Sequence, residues 1–112
     1  MMIKIPALAP ANRKCRRPTG SWYVNPESER FDAITAEAAS GMKAPDCDFY
    51  AVVVTVSPRG PGSKLSARVK QTFDALTRCG FWKDDRQVVS LVLKYGSGVK
   101  TETKVSVREA KF

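Results

Sequence analysis

The stretch Phe73–Val89 reads FDALTRCGFWKDDRQVV, and its character changes twice within that short run. An amphipathic segment ends at Gly80, the residue best suited to the left-handed conformation that stops a helix. An aromatic pair, Phe81-Trp82, and two adjacent acids, Asp84-Asp85, form a short connection. A β-branched run then opens at Val88-Val89 and predicts a strand to Tyr95. Helix, glycine stop, connection and strand together make one half of an α/β unit.

Reading outward, Ser63 is a suitable N-cap for this helix, which should run to Cys79. Leu65, Val69, Phe73 and Leu76 recur at helical spacing and form its buried stripe. The turn-rich PRGPG at 58–62 precedes it. Before that lies FYAVVVTV at 49–56, a continuous run suited to a strand buried on both faces. Asn25-Pro26-Glu27 predicts a helix start, with the helix running to about Ser40 and stopping at Gly41. Phe31, Ile34 and Ala38 share its apolar face. MIKIP at 2–6 reads as a first strand. Gly96-Ser97-Gly98 turns into a last strand over Thr101–Arg108, with Val105 and Val107 facing inward. Residues 7–24 read as a long loop containing Pro10, Pro18 and Gly20, too long for a mere connector and therefore functional or disordered. The order β-α-β-α-β-β predicts one α/β domain over residues 1–112, a mixed four-stranded sheet with two helices.

A chain of 112 residues is normally one domain. Its net charge of +8 and pI near 9.7 call for a polyanionic partner, with nucleic acid first. MMIKIPALAP lacks the apolar run of a leader peptide, and no stretch reaches membrane-spanning length, so a cytoplasmic protein without a membrane partner is expected. Cys15, Cys47 and Cys79 are odd in number and far apart, which argues against a disulfide framework. The chain has no histidine, which removes conventional zinc sites and every histidine general base. Cys79 reads as a small buried hydrophobe.

The segment Phe73–Val89 resembles the signature of the RusA family, small dimeric nucleases that resolve four-way (Holliday) DNA junctions. Phe73, Asp74, Ala75, Leu76, Thr77, Gly80, Phe81, Trp82, Asp84, Asp85, Gln87, Val88 and Val89 agree with it in register. Ile3-Lys4-Ile5-Pro6, Pro10-x-Asn12-Arg13 and Tyr23-Val24 are similar to the family's early segment, and the C-terminal hairpin matches in pattern. The resemblance implies a RusA-like domain, DNA recombination and repair, branched DNA as partner, a homodimer, catalytic magnesium and a phage or prophage setting.

In the family this helix opens with Asp-x-Asp-Asn, whose two Asp bind the metal. Those positions are here Lys64, Leu65, Ser66 and Ala67. The family's basic residue falls on Lys70 and its third metal-binding Asp on Asp85, so Lys70 and Asp85 are the catalytic positions retained. Magnesium takes near-octahedral oxygen ligands, usually including one or two carboxylates. Exchanging two Asp for Lys and Ser shifts local charge by about three units, and an ammonium about 4 Å from a cation is repelled by a few kcal/mol even at an effective dielectric near 20. Magnesium is therefore expected to bind weakly or not at all, and without it no metal-activated water attacks the phosphodiester. Asp46 and Asp48 are expected at the opposite end of the second strand from Lys64, too far to replace the lost acids.

The binding positions read differently. Lys64 and Arg68 share one helix face, with Lys70 on a neighbouring one. The helix start near Ser63 can receive a phosphate. Arg59 and the cluster Arg13, Lys14, Arg16 and Arg17 add positive charge, so these residues form the expected DNA-binding set. The leading reading is a junction-binding protein with impaired cleavage. An active magnesium-dependent crossover junction endodeoxyribonuclease with a rearranged site, and a general nucleic-acid-binding protein, are the alternatives. Asp84 reads as a structural turn residue and Asp74 as the i,i+4 partner of Lys70. Phe81 and Trp82 read as core or dimer contacts, with base stacking the alternative for Trp82. Lys100 and Lys104 read as surface.

Overall fold

The computed structural model describes residues 1–10, 13–57 and 65–111. Four strands form a mixed sheet: β1 (Met2–Ile5), β4 (Tyr50–Ser57), β5 (Val88–Tyr95) and β6 (Glu102–Glu109), in the spatial order β1-β6-β4-β5. β4 runs parallel to β5 and antiparallel to β6, and β1 is antiparallel to β6. Two helices, α1 (Pro26–Ala38) and α2 (Leu65–Arg78), complete the α/β domain expected from the sequence.

Alternation along the strands decides which residues face the helices. Val52, Val54 and Val56 of β4, Val105 and Val107 of β6 and Ile3 and Ile5 of β1 join Phe31 of α1 and Val69, Phe73 and Leu76 of α2 in one core. β4 lies between two partners, and even on its other face Ala51 and Ser57 are buried, in keeping with its continuous apolar run.

The helix ends follow their sequence signals. The Asn25 side chain accepts from Glu27 N at 3.0 Å, with Pro26 in the first turn. At the end of α2, Gly80 takes φ of +79°. Gly80 N donates to Thr77 O at 3.1 Å and Phe81 N to Leu76 O at 3.0 Å. This is the paired Schellman closure, with Phe81 and Leu76 both in the core. Trp82 follows, 4% exposed. It is stacked on Tyr50 at 5.8 Å and edge-on to Phe73 at 5.4 Å, with Nε1 donating to Thr77 Oγ1 at 2.8 Å. Trp82 is thus a core residue, and base stacking does not fall to it.

The segment 7–24 departs from expectation. It is not an unstructured loop: β2 (Lys14–Arg16) and β3 (Trp22–Val24) form a separate antiparallel hairpin. Gly20 N donates to Arg17 O at 2.9 Å and Arg17 N to Ser21 O at 2.8 Å, with Gly20 at φ of +92°. Pro18 presets the turn and Gly20 supplies the left-handed residue of a bulged three-residue loop. The signal was the turn Pro18-Thr19-Gly20 flanked by KCR and WYV; strands of three residues are too short for periodicity to reveal.

Candidate functional site

Of the residues that the resemblance marks as catalytic positions, Ser66 and Lys70 lie on α2 and Asp85 lies outside it. Ser66 and Lys70 are exposed and four apart, so they share a face, and Asp74 is four further on. Asp85, in the single-turn 3-10 segment Asp85–Gln87 that leads into β5, lies beyond the helix's other end. Its carboxyl is pushed above the usual range first by burial, then by the neighbouring charges of Asp74 and Asp84. Eight residues of helix separate Ser66 from Asp74, about 12 Å at 1.5 Å per residue. Asp85 therefore keeps company with Asp74 and not with the start of the helix. The expected ion pair between Lys70 and Asp74 is not among those formed by the described residues.

Asp84 plays the structural part expected of it. It caps the 3-10 turn by accepting from Arg86 N at 2.9 Å and holds the Arg86 guanidinium at 2.7 Å. These bonds keep its own carboxyl below the usual range. Asp46 and Asp48 precede β4, and Gln87 Nε2 donates to Asp48 O at 3.2 Å. They thus lie at the end of the sheet where β5 begins. Glu109 adds to this acidic corner: burial first, then Glu109, pushes the Cys47 thiol up. Among the described residues no three Asp, Glu, Cys or His side chains gather as a metal cage.

The basic residues divide by environment. Arg68, half-buried on α2, donates from Nη1 to Ala9 O at 2.6 Å and so pins the segment after β1. Arg13 pairs with Asp32 of α1 at 2.9 Å, and Arg78 of α2 reaches the same carboxylate at 3.4 Å. Both Arg13 and Arg68 thus hold structure together. Lys14, Arg16 and Arg17 extend along the exposed hairpin. Arg59 and Lys64 lie outside the described residues, as does Ser63.

Sheet register assembles a second basic feature that sequence reading missed. Lys4 pairs with Lys104, Lys104 with Thr55, and Thr55 with Lys94. The row crosses all four strands on the face opposite the helices. Lys100 joins Lys94, Lys104 and the Gly96–Gly98 turn around a shallow concavity. Like charges directly opposite across strands are unfavourable, and none of these lysines is in an ion pair among the described residues. Such a row suits an anion. Glu102 lines the same concavity, and only the strand pairing brings Lys4 and Lys94 into line with Lys104.

A protein-family model, endodeoxyribonuclease RusA, matches residues 5–108 of this chain. None of the curated proteins matches it.

Proposed function

The chain belongs to the RusA endodeoxyribonuclease family, and from that premise we propose that it binds four-way junction DNA as a homodimer with impaired strand cleavage. The family's activity is Holliday junction resolution with a divalent metal, generally magnesium. The observation that carries the proposal is the donor set at the metal positions. Lys64 and Ser66 stand where the family has carboxylates, and the remaining Asp85 sits beside Asp74, a stretch of helix away from Ser66. An ammonium and a hydroxyl in place of two carboxylates do not fit magnesium. No cleavage step is therefore assigned to the metal here.

Binding is supported by charge on separate elements, the hairpin and the lysine row, within a chain of net charge +8. The outer edge of β5 supports dimerisation: it has a partner on one side only, and Val89, Leu91 and Val92 are 41–50% exposed. An apolar open edge is a template for a second chain, and a two-fold dimer matches the symmetry of a four-way junction.

One observation favours an active enzyme as a second reading. Asp74 and Asp85 are close enough for the charge on one to raise the other's carboxyl, and such a pair is a potential cation ligand. A gel assay with a labelled four-way junction and its matched duplex, with and without magnesium, separates the readings. A junction-specific shift without nicks is expected. Symmetric magnesium-dependent nicks that Asp85→Asn abolishes would establish the second reading, and equal affinity for both DNAs would leave a general nucleic-acid-binding protein.

A further inference from the structure

The β2–β3 hairpin is built unlike the rest of the molecule. None of residues 13–24 joins the hydrophobic core, and β2 and β3 pack chiefly on each other. An isolated two-stranded hairpin is at best marginally stable in water. This one is fastened at its base, where Asn25 N donates to Arg13 O at 2.7 Å and Arg13 pairs with Asp32 of α1. Beyond that anchor every residue of the ribbon is exposed except Cys15 and Gly20, which are half-buried.

Its side chains sort by the two-residue period of the strands. Lys14 pairs with Val24 and Arg16 with Trp22 on one face; Cys15 pairs with Tyr23 on the other. The Arg16 guanidinium lies 5.7 Å from the centre of the Trp22 ring, and that of Arg17 lies 4.9 Å from the centre of Tyr23. Each face thus carries a guanidinium over an aromatic ring. Trp22 is nevertheless 61% exposed. The chain's other tryptophan, Trp82, is 4% exposed, so Trp22's exposure belongs to its position and not to the residue type. A large indole held open to water, among positive charges that form no ion pair with the described residues, has no role in this fold's core. Flat rings and guanidinium planes are the surfaces on which unstacked bases stack, and adjacent cations hold the flanking phosphates.

We propose that the hairpin is a base-stacking arm: Trp22 receives an unstacked base at the branch point of the DNA while Lys14, Arg16 and Arg17 hold the phosphates on either side. The inference rests on the branched-DNA reading above and names the element that would distinguish a branch from a duplex. Paired, stacked bases offer no open face to the ring, so Trp22 contributes where stacking is interrupted.

The test uses the full chain and compares Trp22→Ala and Trp22→Phe with the parent. Affinities for a four-way junction, its matched duplex and a single-stranded oligonucleotide are read by anisotropy at one fixed salt concentration. Far-UV melting confirms that each variant folds as the parent does. Trp22→Ala should weaken junction and single-strand binding by about 5- to 150-fold, the range of one base–aromatic stack. It should leave duplex binding within about twofold, and Trp22→Phe should recover most of the loss. A 2-aminopurine at the branch should be quenched by the parent and not by Trp22→Ala. Equal weakening on all three DNAs, or no weakening on any, overturns the proposal. If the parent shows no preference for junction over duplex, the junction reading fails by itself. A single-strand affinity that still falls with Trp22→Ala then upholds the stacking arm, and one that does not fall overturns it.

Discussion

Trp82→Phe tests the packing that carries the polypeptide from α2 to the Asp84-Asp85 turn. Trp82 Nε1 donates to Thr77 Oγ1 at 2.8 Å, and Thr77 in turn donates to Phe73 O at 3.0 Å. The ring is buried among Tyr50, Phe73 and Phe81. Replacing indole by phenyl removes about 40 Å³, which costs about 1 kcal/mol at the usual price per unit of residual cavity. The lost apolar transfer adds about 1 kcal/mol, and the lost hydrogen bond about 1 kcal/mol net. The expected destabilisation is therefore about 2–3 kcal/mol. Thr77→Val leaves the buried indole donor unpaired and should cost about 1–3 kcal/mol. Because both single variants break the same bond, the double variant should be less damaged than their sum, by about 1 kcal/mol. Urea unfolding followed by far-UV circular dichroism measures all four proteins, with m-values expected to agree. Additivity to within about 0.3 kcal/mol would refute the reasoning, since the hydrogen bond would then contribute nothing to the fold.

Three further outcomes are expected. Asp85 has its folded carboxyl raised by burial, Asp74 and Asp84, so its charged form opposes folding. That opposition develops as pH rises from the ordinary aspartate value of 3.8 through the raised one. Asp85→Asn should accordingly raise the thermal midpoint at pH 7, with the gain disappearing below about pH 4, where aspartate is protonated in both states; an equal gain at both pH values would contradict the assignment. Gly80→Ala should destabilise by about 1 kcal/mol in urea, because φ of +79° penalises an L side chain by about 1–2 kcal/mol and the stiffer unfolded chain returns part of that. A Cβ there would meet only the Lys43 Nζ at an ordinary 3.8 Å, so a neutral result would show that the backbone conformation carries no strain. Lys64→Asp combined with Ser66→Asp should give magnesium-dependent nicking of a four-way junction above that of the parent; no increase would mean that the lost carboxylates are not what limits cleavage.

The α/β domain was legible because its signals are local. Hydrophobic period fixed α2 and the buried strand, Asn25-Pro26 and Gly80 marked helix ends, and the run Phe73–Val89 carried the family. The site was less legible because its geometry depends on which elements become neighbours. In the chain Lys70 and Asp74 are suitably spaced partners, yet folding sets Asp74 against Asp85, raising the latter's carboxyl. Arg13, Arg16 and Arg17 look alike in sequence. Tertiary structure gives Arg13 a carboxylate on α1 and leaves the other two over aromatic rings on an exposed ribbon.

The sequence by itself determined the main-sheet strands and the two helices, the helix ends at Asn25 and Gly80, the core stripe of α2 and the positive charge, because each is a property of residue type at short spacing. Tertiary structure decided which tryptophan is core and which is exposed, where Asp85 stands relative to the start of α2, and that Lys4, Lys104 and Lys94 fall in one row across the sheet. These depend on strand register and on contacts between residues distant in the chain, which no local pattern encodes.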